Sequence, residues 1–197
     1  MTRLGVFGGT FDPVHNGHIA AALDAGHALE LDSVVMIPAG EPWQKAGTVE
    51  APAAERLAMV ETAVAGIDGL EVSDVEIRRS GPSYTVETLE LLSAPDRELF
   101  LLLGTDALRT LHTWHRAESL WDLATVVAFE RSTDADVGTG VPQNLAGRVE
   151  TVDVARLDIS SHGIRERLAA GRPVGGLLPP AVVRQIAQRH LYTARDG

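Results

Sequence analysis

Short apolar runs alternate with longer amphipathic stretches along this chain. The apolar runs are predicted strands, and they cover residues 3–9, 33–40, 70–79, 98–104, 125–130 and 148–154. The amphipathic stretches are predicted helices, and they cover residues 18–31, 53–67, 83–92, 163–171 and 180–190, with further helix between 105 and 124. Strands that alternate with helices indicate an α/β fold, a doubly wound parallel sheet with helices on both faces.

The apolar positions of the first two helices are spaced to form one face on each helix. These positions are Ile19, Leu23 and Leu29 in the first helix and Leu57, Val60, Val64 and Ile67 in the second. We find no internal repeat and no linker that divides the chain. Residues 132–147 are predicted to form a surface loop. We therefore expect a single domain over 1–197, with a C-terminal helical part from about residue 160 to 197.

Polar and glycine-rich segments follow the predicted strands. They are GGTFDPVHNGH, PAGEPWQK, SGPSYT, GTDALRTLHTWHR and DISSHGIRERL. In an open parallel sheet, ligands bind beyond the carboxyl ends of the strands, at the point where the strand order reverses. These five segments therefore predict one binding site at that edge of the sheet.

Composition and charge narrow the classes of function. The formal net charge is −10, so we expect no nucleic-acid polymer as a partner, because such binders carry a basic surface. No stretch is long and apolar enough to span a membrane. The chain has no cysteine, which excludes disulfides and thiolate metal sites and fits a cytoplasmic protein.

The first polar segment predicts a phosphate site. Gly8 and Gly9 would let a ligand approach the backbone, and Thr10 adds a hydroxyl and an N–H. His15 and His18 stand three apart at a helix start, so they share a face beside a terminus that favours phosphate. A packed histidine pair beside a turn is the alternative. A metal site is disfavoured, because no carboxylate or cysteine stands nearby at ligand spacing.

The same motifs carry a family resemblance. GGTFDPVHNGH resembles the signature of bacterial nicotinate-nucleotide adenylyltransferases, within the HxGH nucleotidyltransferase superfamily. SYTVETL, LGTDALRTLHTWHR, DISSHGIRERL and LLPPAVVRQIAQRHLY are similar, in the same order, to later segments of that family. The resemblance implies a Rossmann-like nucleotidyltransferase fold and runs along the whole chain.

The resemblance implies adenylyl transfer from ATP to nicotinate mononucleotide, giving nicotinate adenine dinucleotide (deamido-NAD) and pyrophosphate in NAD biosynthesis. The nucleophile would be a phosphate oxygen that is already ionised, so no general base is required. Mg²⁺ would arrive with ATP, and no protein metal site is expected. An apolar face on the C-terminal helix would allow two copies to pair as a homo-oligomer.

The resemblance also implies the ATP site. His15 and His18 would hold the phosphates and stabilise the α-phosphoryl group during transfer. Lys45 and Arg165 would contact phosphates, although a solvated loop lysine and a helix-surface arginine are the alternatives. The full expected ATP set is Gly8, Gly9, Thr10, Phe11, His15, His18, Ser160, Ser161 and Arg165, with His15, His18, Lys45 and Arg165 as the catalytic residues.

The acceptor site is expected to be separate. Thr85 is predicted as a helix N-cap, and the backbone N–H groups around Tyr84 and Thr85 would bind the nicotinate carboxylate. Trp114 would stack on the pyridine ring, with core packing as its alternative. Asp106 would accept hydrogen bonds from ribose, or else cap its helix. The expected acceptor set is Lys45, Tyr84, Thr85, Gly104, Asp106 and Trp114.

Three departures from the family pattern stand out. His162 and Gly163 replace the usual residues after ISS, PWQK replaces the commoner PPHK, and no Pro-Gly follows Arg131. We expect these changes to alter affinity and not the type of reaction.

Two other functions stay open. One is a different HxGH adenylyl- or cytidylyltransferase, such as the pantetheine-phosphate enzyme, which would not be expected to carry SYT or TWHR. The other is a nucleotide-binding regulator without turnover, which would not need the α-phosphate contacts.

Overall fold

The computed structural model describes residues 1–43, 47–130 and 141–193. Six strands form one parallel sheet in the order β3-β2-β1-β4-β5-β6. The strands are β1 Thr2–Gly9, β2 Ser33–Pro38, β3 Leu70–Val72, β4 Arg97–Leu103, β5 Thr125–Glu130 and β6 Glu150–Asp153. The strand order reverses between β1 and β4, which fixes the place where a ligand site is expected.

Within the described ranges, eight α-helices connect the strands or follow them. They are α1 Asn16–Ala28, α2 Ala53–Val64, α3 Val75–Arg78, α4 Thr85–Leu92, α5 Thr105–Thr110, α6 Leu120–Leu123, α7 Ser161–Ala169 and α8 Pro180–Gln188. Short 3₁₀ turns lie at Leu111–Thr113, Ala117–Ser119 and Gln143–Leu145. The doubly wound α/β fold predicted from the sequence is confirmed.

The core lies on both faces of the sheet because side chains alternate along each buried strand. On β1, Phe7 belongs to the cluster that packs against α1, α2, α7 and α8. Leu4 and Val6 belong to the other cluster, which packs against α4, α5 and α6. Parallel strands buried on both faces need apolar residues throughout, which is why the strands were recognisable as apolar runs.

The third predicted strand is much shorter than expected. The sequence predicted a strand over 70–79, but β3 ends at Val72 and residues 75–78 form α3. The Glu76 side chain on this short helix is 6% exposed and lies against Thr88 of α4. A helix with a buried polar contact therefore takes the place of the second half of the predicted strand. Hydrophobic periodicity does not detect such a contact.

Two helix faces also differ from expectation. The buried residues of α1 are Ala21, Ala22 and Ala25, and the predicted Ile19 and Leu29 pack partly buried against the same core, whereas Leu23 is 39% exposed. On α8, Val182 and Ile186 are buried against the core of the same chain. The exposed apolar face expected on α8 is therefore absent from that helix, and it gives no support for pairing of two copies.

Candidate active site

The two histidines of the first motif meet at the start of α1. His15 is the N-cap residue and His18 is the third residue of the helix. Their rings stack with centroids 3.6 Å apart and planes at 21°. The backbone N–H of His15 donates to Nδ1 of His18 at 3.2 Å. Because Nδ1 accepts this bond, the ring proton of His18 is placed on Nε2, where it is a donor for a ligand oxygen.

Gly17, between the histidines, was not singled out from the sequence. A Cβ at this position would lie 3.1 Å from Nδ1 of His15 and 3.2 Å from Cε1. Its lack of a side chain therefore allows the His15 ring to pack against the first turn of α1. A glycine inside the first turn of a helix, flanked by two histidines, is the signal that would have indicated it.

The two glycines at the end of β1 have different surroundings. A Cβ on Gly8 would meet nothing within 4 Å, so this side of the backbone is open. A Cβ on Gly9 would lie 2.9 Å from the ring of Phe11, so in this structure a protein ring occupies the space that we expected a ligand to use. Phe11 itself is buried and packs edge-on against His18, with centroids 5.0 Å apart.

The start of α7 lies against the loop that precedes the histidines. Ser160 is the N-cap of α7, and its hydroxyl accepts the N–H of Gly163 at 3.1 Å. Ser161 donates to the carbonyl of Pro13 at 2.9 Å. Arg165 donates from Nη1 to the carbonyl of Asp12 at 2.9 Å. The sequence-predicted phosphate residues of α1 and α7 are therefore brought to one place.

Arg165 also has an acidic partner. Its Nε lies 2.6 Å from Oε1 of Glu50. The guanidinium is 16% exposed, whereas the Glu50 side chain is 48% exposed. Nη1 of Arg165 also lies 3.9 Å from Oδ2 of the buried Asp12, so the guanidinium faces one exposed and one buried carboxylate.

Asp12 holds this loop together. Its carboxylate is 3% exposed and accepts the backbone N–H groups of Glu50 at 2.8 Å and Ala51 at 3.1 Å. The hydroxyl of Tyr192, from the C-terminal segment, donates to the same carboxylate at 2.7 Å. Burial, together with the bond to Asp12, raises the pKa of Tyr192 well above its usual range. These partners lie at least 38 positions from Asp12 along the chain, so local sequence patterns give no sign of the bonds.

A cavity of about 230 Å³ opens beside this loop at the carboxyl ends of β1 and β4. Many of the residues predicted to bind the acceptor and the nucleotide line this cavity. Those on its lining are Gly8, Gly9, Thr10, Tyr84, Thr85, Gly104 and Trp114. Further lining residues that sequence reasoning did not assign are Trp43, Glu76, Ser83, Thr88 and His115.

Aromatic side chains form much of the cavity wall. Tyr84 stacks on His115 with centroids 4.3 Å apart, and Trp43 meets Tyr84 edge-on at 6.2 Å. Trp114 packs against the core cluster that contains Leu4 and Val6. Its Nε1 is buried without a hydrogen-bond partner among the residues described. Such a wall suits a planar ring.

Two predicted site residues occupy helix positions that differ from expectation, and a third lies outside the described residues. Thr85 is the first residue of α4 and not its N-cap, because Tyr84 takes that position and no side chain caps the helix. Asp106 lies in the first turn of α5, fully exposed, with Arg109 at 3.6 Å. Its helix begins after Gly104, so Asp106 is not the cap either. Lys45 lies outside the described residues, as do Arg131 and residues 132–140 of the predicted loop.

The described site is rich in nitrogen donors and poor in free carboxylates. Across the described ranges, no group of three His, Cys, Asp or Glu side chains could hold a metal ion. None of the described helices combines the length and apolar content needed to cross a bilayer.

Comparison with known proteins places this geometry in a family. The cytidylyltransferase-like family matches residues 6–167. A probable nicotinate-nucleotide adenylyltransferase of Saccharopolyspora erythraea is 41% identical over 196 residues, which is 98% of this chain and 91% of that protein. The chain belongs to the nicotinate-nucleotide adenylyltransferase family. Its relative in Corynebacterium glutamicum, also a probable nicotinate-nucleotide adenylyltransferase, is 42% identical over 96% of this chain and 88% of its own length.

Solved structures agree on the fold. The nicotinic acid mononucleotide adenylyltransferase of Plasmodium falciparum, complexed with NaAD, matches with a TM-score of 0.75 at 16% identity, covering 98% of each chain. A putative nicotinate-nucleotide adenylyltransferase of Vibrio parahaemolyticus matches with a TM-score of 0.69 at 18% identity, covering 99% of this chain and 98% of that one.

Proposed function

We propose that this chain transfers the adenylyl group of ATP to nicotinate mononucleotide, which gives deamido-NAD and pyrophosphate in NAD biosynthesis. The observation that carries the proposal is that two suitable surfaces adjoin at the strand-order reversal. Phe7 lines the aromatic cavity, and its ring lies 6.1 Å from that of His18, which stacks on His15. One surface suits a pyridine ring and the other a polyphosphate.

The reaction needs positioning more than proton transfer. A phosphate oxygen of nicotinate mononucleotide attacks the α-phosphorus of ATP, and the bond from that phosphorus to the bridging oxygen breaks as pyrophosphate leaves. The attacking oxygen is already ionised near neutral pH, so no base has to remove a proton. Catalysis then consists of aligning two anions and stabilising the charge that develops on the phosphoryl group in transfer.

The phosphate face supplies donors for that charge. Nε2–H of His18 and the ring of His15 stand beside the N-terminus of α1, where backbone N–H groups favour anions. Arg165, Ser160 and Ser161 adjoin them from α7 and would contact the β- and γ-phosphates. Lys45, which follows β2 along the chain, completes the proposed catalytic set with His15, His18 and Arg165.

The part of the site that would bind the acceptor nucleotide should favour an anionic pyridine ring over a neutral one. The backbone N–H groups at the start of α4, from Tyr84 onward, have no side-chain cap. A nicotinate carboxylate would satisfy them, whereas the neutral nicotinamide would gain less. Trp114 would stack on the ring, and Asp106 and Gly104 would face the ribose.

Magnesium would enter as part of the substrate. The proposed site offers imidazole, hydroxyl and guanidinium groups, and the Asp12 carboxylate is occupied by two amides and Tyr192. Mg²⁺ prefers oxygen ligands and would therefore be held by the triphosphate and water. We place the reaction in the cytoplasm. A homo-oligomer stays a proposal, and α8 gives no support for it because its apolar side chains are buried in the core of the same chain.

The decisive experiment measures pyrophosphate release from ATP and Mg²⁺ with nicotinate or nicotinamide mononucleotide. We expect strong release with nicotinate and weak release with nicotinamide. Equal release would keep the adenylyl transfer but remove the start of α4 as the reader of the carboxylate. No release with either acceptor, in folded protein that binds ATP, would favour another acceptor, such as pantetheine phosphate, or a regulator without turnover.

A further inference from the structure

Glu76 is a buried carboxyl group in the cavity wall for which adenylyl transfer has no direct use. It is 6% exposed and lines the cavity. No ion pair to it is present among the described residues, and Arg79 acts on it only at longer range. Burial raises its pKa, although hydrogen bonds from Thr88 and Ser83 oppose this. A carboxyl group kept in a costly position indicates a role that an apolar residue would not fill.

The hydrogen bonds around Glu76 have a fixed direction. The hydroxyl of Thr88 donates to Oε1 of Glu76 at 2.7 Å. The hydroxyl oxygen of Ser83 accepts the N–H of Gly40 at 2.9 Å and that of Glu41 at 3.3 Å, which uses both of its lone pairs. Ser83 also interacts with the Glu76 carboxyl group, and this interaction lowers the pKa of Glu76.

These bonds join three separate parts of the cavity wall. Glu76 lies on α3, Thr88 lies on α4, and Ser83 reaches the loop after β2 at Gly40 and Glu41. A Cβ on Gly40 would overlap the backbone carbonyl of Glu76, so the two segments are also in direct contact. The N–H of Ser83 donates in return to the carbonyl of Glu41 at 2.9 Å.

We propose that Glu76 is a positioning residue for the acceptor nucleotide, which sets the Tyr84–Thr85 turn and the loop that carries Trp43 in the arrangement that receives it. Glu76 acts through Ser83 and Thr88 and does not contact the phosphates. The inference rests on the proposed function, because it takes nicotinate mononucleotide as the occupant of the cavity.

The test compares Glu76→Ala and Glu76→Gln with Glu71→Gln, an exposed glutamate on β3 as the matched control. The readouts are the separate KM values for ATP and nicotinate mononucleotide, together with direct calorimetric binding of nicotinate mononucleotide. We expect Glu76→Ala to raise the KM and Kd for the acceptor by about tenfold, since the hydrogen bond from Thr88 and the interaction with Ser83 are lost. The KM for ATP should change less than about twofold.

Glu76→Gln should give an intermediate effect, because its amide oxygen still accepts the hydroxyl of Thr88. Thr88→Val removes that hydroxyl at similar size, and in combination with Glu76→Ala it should add little to the change in acceptor Kd, since both changes break the same bond. Equal rises of both KM values, or a loss of thermal stability with unchanged acceptor Kd, would reduce Glu76 to a structural residue.

The two proposals fail differently. A wild-type protein that binds nicotinate mononucleotide without releasing pyrophosphate would overturn the proposed function, while a weaker acceptor Kd in Glu76→Ala would still support the positioning role. A wild-type protein that does not bind nicotinate mononucleotide at all would overturn both.

Discussion

At the scale of single residues, the sequence identified the chemical groups better than their partners. His15 and His18 were chosen from their spacing, and they do meet at the start of α1. The cap at Thr85 was wrong by one position, because threonine is only a weak signal for which residue ends the extended chain. The bond from Tyr192 to Asp12 spans 180 positions and leaves no local trace, so the sequence did not indicate it.

His18→Ala tests the transition-state role of the first motif. The variant loses the Nε2 donor beside the phosphates, and we expect kcat to fall about a hundredfold, as for other donors aimed at developing charge. The Kd for nicotinate mononucleotide should barely change, because the pyridine end is bound elsewhere. His27→Ala, an exposed histidine in the last turn of the same helix, is the control. A decrease in kcat of less than about tenfold, which corresponds to roughly 1.4 kcal/mol of activation free energy, would contradict this role.

The buried carboxyl of Glu76 gives a pH dependence of stability with a definite sign. Its pKa is raised in the folded state by burial, with Arg79 as the nearest opposing charge. The folded protein therefore holds this proton at pH values where the unfolded chain, with an ordinary pKa of about 4.3, has released it. The contribution of Glu76 to stability is greatest below that ordinary value and declines as pH rises through the raised one.

Glu76→Gln isolates this contribution because glutamine does not titrate. The free energy of unfolding of the variant, minus that of wild type, should increase as pH rises from about 4 toward neutrality. Urea unfolding at several pH values measures the difference, with Glu71→Gln, at an exposed site on β3, as the comparison variant. A difference that does not vary with pH for Glu76→Gln would contradict the raised pKa.

At the scale of elements, apolar periodicity predicted most strands and helices, and the exceptions have identifiable causes. The segment after β3 became α3 because Glu76 buries a polar side chain against α4. At α1, Ile19 and Leu29 pack against the core as expected, but Leu23 is exposed and the alanines at 21, 22 and 25 supply the fully buried positions. Periodicity reports that a helix has two faces, but close packing by small residues decides which of them is buried.

The N-cap of α7 is an element-scale feature that supports the phosphate site. Ser160→Ala removes the acceptor for the N–H of Gly163 and should lower the free energy of unfolding by about 1 kcal/mol, whereas Ser160→Gly should cost only a few tenths. Urea unfolding distinguishes the two. Because α7 carries Arg165, we also expect a higher KM for ATP in the alanine variant.

The neighbouring His162 provides a contrast to the cap. Its side chain is 75% exposed and lies 3.5 Å from Glu166 of the same helix. His162→Thr, which restores the usual family residue, should therefore leave the unfolding free energy within about 0.5 kcal/mol of wild type. For the two Ser160 variants, an equal decrease in the free energy of unfolding would show that the lost N-cap hydrogen bond is not its cause.

At the scale of the whole molecule, the position of the site followed from the alternation of strands and helices, but the links across it did not. Arg56 is 1% exposed on α2 and donates from Nη1 to the carbonyl of Thr10 at 2.7 Å and from Nη2 to that of Gly40 at 3.3 Å. Gly40 in turn donates to Ser83. A buried arginine within an apolar helix face thus joins the phosphate loop to the acceptor cavity, and such a link becomes visible only once the chain is folded.

This division into two halves predicts distinct footprints of the two substrates in amide hydrogen exchange. Nicotinate mononucleotide should slow exchange in residues 39–43, 83–88 and 104–115, since those segments carry the cavity wall. ATP should slow exchange in residues 8–18 and 160–166, where the phosphate face lies. The opposite end of the sheet, at residues 121–125 and 148–150, borders neither half and serves as the internal control.

Deamido-NAD should protect both sets of segments at once, because it carries the pyridine and the adenylyl group in one molecule. Ligand at a hundred times its Kd would stabilise the fold by about 2.7 kcal/mol, so uniform protection across the sheet is expected as a background in slowly exchanging strands. The informative signal is the difference between loops. Protection of residues 160–166 by nicotinate mononucleotide alone, with residues 83–88 unchanged, would place the acceptor on the phosphate face and overturn the assignment of both halves.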